Sequence, residues 1–73
     1  MNADTLSRIC QNSLEKDLPV SEKASQRIFG FFRNMIRNRE VDFRNAWEAI
    51  DKCNDIHYHA MKHLHSSVEP EDI

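Results

Sequence analysis

The chain has 73 residues, with 12 acidic and 10 basic side chains, a formal net charge of −2, one glycine, two prolines and two cysteines. That length allows one domain, which buries only about 60% of its unfolded surface and so has a marginal core. The composition excludes a transmembrane helix, because the apolar runs fall far short of the roughly 20 residues needed. It also excludes a disulfide framework and a chain-wide attraction to polyanions. The first residues, Met-Asn-Ala-Asp-Thr, are polar and no apolar h-region follows, so no signal peptide is expected. The implied setting is cytoplasmic, where thiols stay reduced. Cys10 and Cys53 both fall on apolar helical positions and read as free, buried, small hydrophobes.

The first helix is predicted over about 3–16, with Asn2 or Asp4 as its cap. Leu6, Ile9, Cys10 and Leu14 recur at spacings of three and four and share one face. Leu18-Pro19 breaks it, because a residue before proline is pushed out of the α region.

The second helix is predicted over 21–38, with Ser21 as N-cap and Glu22 in the first turn. Ala24, Ile28, Phe31, Phe32 and Met35 form its stripe, widened by Phe29 and Ile36. Gly30 costs about 1 kcal/mol inside a helix. It is either simply tolerated or marks the close approach of another backbone. Residues 39–41 form a short glycine-free linker, and a continuous helix through them is the alternative.

The third helix is predicted over 42–65, capped by Asp42. Phe43, Ile50, His57 and Leu64 recur every seven residues, as do Ala46, Cys53 and Ala60 three positions later. These are the two seam positions of a heptad, flanked by Trp47 and Met61. At 1.5 Å per residue the helix would be about 35 Å long, too long for the other helices to cover. Residues 66–73 are polar and acidic and read as a flexible tail outside a single 1–65 domain. The expected fold is all-α: a small three-helix bundle in which helices two and three form an antiparallel hairpin, completed by dimerisation.

Three features could carry chemistry. His59 and His63 are four apart, a spacing able to ligate zinc, with Asp55 as a further donor. There is no HExxH glutamate, however, and both histidines fall opposite the seam, so they read as a solvated face and no cofactor is expected. His57 sits in the seam, as a core histidine or as a register or pH-sensitive contact. Cys53 and His57 have the spacing of a nucleophile and base, but a chain this small has little room for a cleft and oxyanion hole. An enzyme is therefore not expected. Finally, Arg33, Arg37 and Arg44 each precede an asparagine in a locally basic stretch. Arginine and asparagine donate well to phosphates and base edges, although the match to a helix-turn-helix is weak.

The reading reached is a small regulatory or adaptor protein that binds a protein partner or itself. Arg33, Arg37, Arg44, Trp47, His57, Met61 and Leu64 are its candidate contacts. The alternative is a small nucleic-acid-binding regulator that uses the arginine-rich face.

Overall fold

A computed structural model describes residues 2–38 and 47–73. Arg44, Phe43, Ala46, the Asp42 cap and the 39–41 linker lie outside the described residues.

Helix α1 spans Ala3–Leu14, where the Asn2 side chain accepts a 2.8 Å hydrogen bond from the Thr5 amide. Its end is closed by the Asp17 and Leu18 amides, both donating to the Leu14 carbonyl. Helix α2 spans Glu22–Asn38, and Ser21 Oγ caps it by accepting from the Ala24 amide. Helix α3 is described over Trp47–Lys62. The class is all-α, as the apolar periodicity predicts.

The arrangement of the helices differs from the expected hairpin. Among the described residues, α1 packs against both α2 and α3, and the backbones of α2 and α3 do not come within 8 Å of each other. Leu6, Cys10 and Leu14 of α1 share one core cluster with Ala24, Ile28 and Phe32 of α2 and with Cys53 and Ile56 of α3. The reason lies in side-chain size. Cys10 opposite Cys53 lets α1 and α3 approach until the Cys53 thiol donates to the Cys10 carbonyl oxygen at 3.6 Å. A polar relay stitches α1 to α2: Ser25 Oγ donates to Gln11 Oε1, and Gln11 Nε2 donates to the buried Ser7 Oγ.

The rotation of α3 also differs from the heptad reading. Among its described side chains α3 buries Cys53, Ile56 and Ala60, the first and last at the seam position expected of them. Ile50 and Leu64, expected in the seam, are exposed, and Ile56, which the heptad omits, is fully buried. Leu64 lies beyond the helix, at a φ of +58°. Its amide donates to the Met61 carbonyl and the His65 amide to the Ala60 carbonyl. This is a Schellman ending with leucine where glycine is usual.

The last segment does not behave as a solvated tail. Val68 is fully buried and forms a parallel bridge with Val20. Its amide donates to the Pro19 carbonyl, and its carbonyl accepts from the Ser21 amide. A short 3-10 turn, Pro70–Asp72, follows and buries Asp72. Val68 in the core, Ile73 packed against it and the enclosed Asp72 carboxylate dock a segment that is otherwise polar. Among the described residues, no helix is long and apolar enough to cross a membrane.

Candidate functional site: a histidine–aspartate latch and two exposed helix faces

The polar cluster nearest to a chemical site is built where the end of α3 meets the last turn. The Asp72 side chain is fully enclosed. Its Oδ1 lies 2.6 Å from His59 Nδ1, and its Oδ2 lies 2.9 Å from both His65 Nδ1 and the Glu69 amide. Burial alone would raise this carboxyl. The Glu69 amide and the two imidazoles outweigh it and hold Asp72 below the ordinary 3.8. His65 is gripped at both ring nitrogens, because its Nε2 also lies 3.1 Å from Glu71 Oε1. Only the imidazolium can donate from both nitrogens. The Asp72 hydrogen bond, opposed by desolvation and reinforced by the charges of Asp72, Glu71 and Glu69, raises the His65 pKa above 6.5.

His59 is therefore not the freely solvated residue expected from its position on the helix. It is half-exposed and tied to Asp72. His63 is exposed and stacks on it, with ring centroids 4.3 Å apart. With His59 Nδ1 committed to Asp72, the i, i+4 pair is arranged as a ring contact. Among the described residues, no group of three histidine, cysteine or acidic side chains is disposed to hold a metal.

The nucleophile–base spacing is not realised as chemistry either. The Cys53 thiol is buried and donates to the Cys10 carbonyl. His57 Nε2 faces the Asp17 carboxylate at 3.5 Å. Burial, reinforced by Cys53, pushes the Cys10 thiol up to about 12, so it stays protonated and inert. His57 lies half-buried on the flank of α3 and not in its core.

Of the predicted partner contacts, Trp47, Met61 and Leu64 are exposed, and with Ile50 and Tyr58 they give α3 and its ending an outward apolar surface. Trp47 and Tyr58 are 64% and 69% exposed and Leu64 is 91% exposed. This face is distinct from the Cys53–Ile56–Ala60 face that α1 covers. Tyr58 and Ile50 were not among the predicted contacts, Ile50 because the heptad placed it in the seam.

Arg33 and Arg37 are exposed on α2, away from the α3 stripe. At 3.6 residues per turn they share their face with Lys23 and Arg27. None of these four cations is in an ion pair among the described residues. Lys23, Arg27, Gly30 and Phe31 line an open groove of about 600 Å³ whose far wall is Pro70 and Ile73. A Cβ placed on Gly30 would meet nothing within 4 Å, so no backbone crosses closely there. Lys52 spans the interior edge, its Nζ 4.3 Å from the Phe31 ring centre and 3.1 Å from the Ile73 main-chain oxygen.

No family model, curated protein or solved structure matches this chain.

Proposed function

We propose that this protein is a small regulatory or adaptor module that works by docking, with the outward face of α3 as its principal contact, and that it self-associates as a homodimer. The observation that carries this reading is the placement of Ile50, Tyr58 and Met61 in solvent along one helix whose other side already serves the core. A chain this short gains stability from each apolar group it buries, at about 25 cal/mol per Å². Large side chains held outside the core are therefore better accounted for by a partner than by folding. Aromatic and methionine side chains are also those enriched at interface centres.

Mass in solution across protein concentration tests the reading. A rise from monomer to dimer supports it. A strict monomer throughout removes the homodimer and leaves a foreign protein as the occupant.

A second reading rests on the four exposed cations of α2, which form no ion pair among the described residues. A nucleic-acid regulator using Lys23, Arg27, Arg33 and Arg37 would bind with steep salt dependence, because each phosphate contact releases counterions. A gel-shift titration at two salt concentrations that gives no complex at low salt removes it.

A further inference from the structure

The exposed stripe of α3 is symmetric about its own middle. Trp47 and Met61 lie seven residues before and after Asn54, and Ile50 and Tyr58 lie four before and four after it. At about 100° per residue, these five positions fall within about 80° of arc. All five are exposed.

A second α3 laid antiparallel on the first, Asn54 over Asn54, uses every one of these groups. Trp47 meets Met61 of the second copy, an aromatic–thioether contact that is favourable in itself. Ile50 enters the space bounded by Asn54, His57, Tyr58 and Met61 of the second copy. Those four positions have the i, i+3, i+4, i+7 spacing of a hole that accepts a knob. The two-fold operation repeats both contacts, as an isologous interface requires. The Asn54 amides meet at the axis, where a polar pair fixes register at some cost in stability. A parallel pair would instead set Trp47 on Trp47 and Tyr58 on Tyr58, with like helix ends together.

We infer that the occupant of the α3 stripe is a second copy of this chain, bound antiparallel about Asn54. This rests on the proposed reading of the stripe as a docking face. Aromatic side chains bury about 150–250 Å² each, and Trp47 and Tyr58 are about two-thirds exposed. With Ile50 and Met61 added, the contact sits at or below the low end of stable interfaces, about 1,200 Å² in total. The pairing is therefore weak and reversible, in the micromolar range or above. Asp51, Asp55 and Lys62 lie on one flank of the stripe, and the two-fold brings the two Asp55 side chains, one residue from the axis, closest together. Salt strengthens the dimer by screening them, and Asp55→Asn tightens it several-fold.

Cysteine cross-linking under a mild oxidant tests the register, alongside sedimentation of the unmodified protein. Cys10 and Cys53 are buried, so the parent protein serves as a silent control. Asn54→Cys is expected to give a covalent dimer at about 0.1–1 mM protein, where a weak pair is populated. A mixture of Ile50→Cys and Tyr58→Cys proteins is expected to give the mixed covalent dimer, and neither alone a homodimer. Self-linking of Ile50→Cys would mean a parallel pair and overturn the inference. A dimer by sedimentation with unlinked Asn54→Cys would overturn it while leaving the homodimer intact. A monomer up to millimolar concentration would overturn both and leave only a foreign partner for the face.

Discussion

Replacing Asp72 by asparagine removes the charge that His59 and His65 both address. A charge-assisted hydrogen bond contributes about 1.5–3 kcal/mol, so Asp72→Asn is expected to lower unfolding free energy by about 2 kcal/mol in denaturant titration. The pH profile carries the same signature. Asp72 is held below 3.8, so its contribution is present above that value and lost as pH falls through the folded value. The His65 pKa is raised above 6.5, so its contribution is complete below 6.5 and lost as pH rises through the folded value. Stability contributed by the latch is therefore greatest between about pH 4 and 6.5, and Asp72→Asn flattens both flanks. Leu64 gives the opposite case. A leucine at positive φ costs about 1–2 kcal/mol, and at 91% exposure it recovers little by burial. Leu64→Gly is expected to raise stability by up to about 1 kcal/mol, read as a higher thermal midpoint.

At the scale of elements, the rotation of α3 is directly testable. Ile56→Ala opens a hole in a filled core and is expected to cost about 2–5 kcal/mol. Ile50→Ala, on the outer face, is expected to cost less than about 1 kcal/mol under conditions where the protein is monomeric. The heptad reading predicts the reverse order. Helix positions were legible from local signals: the Ser21 and Asn2 caps, the Leu18-Pro19 break and the three-and-four spacing of Leu6, Cys10 and Leu14. The face that α3 turns inward was legible only in part: Cys53 and Ala60, read as one seam position, are buried, whereas Ile50 and Leu64, read as the other, are exposed. Phe43, Ile50, His57 and Leu64 carry a sustained seven-residue repeat, and a repeat identifies a stripe without saying whether a core or a second chain covers it. Ile56 lies three residues after Cys53 and four before Ala60, a helical spacing that continues their face but falls outside the seven-residue register. The latch was equally invisible. Asp72 lies 13 residues from His59, and its acidic surroundings resemble a solvated end until Val68 anchors the segment beside Val20.

At the scale of the whole molecule, the two exposed helix faces carry opposite electrostatics. The α2 face is cationic, with its four cations in no ion pair among the described residues, whereas the α3 stripe is apolar with Asp51 and Asp55 on its flank. Raising ionic strength is therefore expected to act in opposite directions on the two proposed kinds of binding. Self-association through α3 should hold or strengthen, and any polyanion bound at Lys23, Arg27, Arg33 and Arg37 should dissociate. Sedimentation and gel shift on one salt series would show the two trends diverging.

The position of α1 between its neighbours has a consequence for how the molecule comes apart. Among the described residues, α2 and α3 share no close backbone contact, and each meets α1. Opening of α3 thus leaves the α1–α2 pair with its Ser7–Gln11–Ser25 relay, and opening of α2 leaves the α1–α3 pair with its cysteine contact. Loss of α1 undoes both pairs, leaving only the last turn and the Lys52–Phe31 contact between α2 and α3. Native-state hydrogen exchange should then resolve two partial openings below the global one, with the amides of α1 the last to exchange.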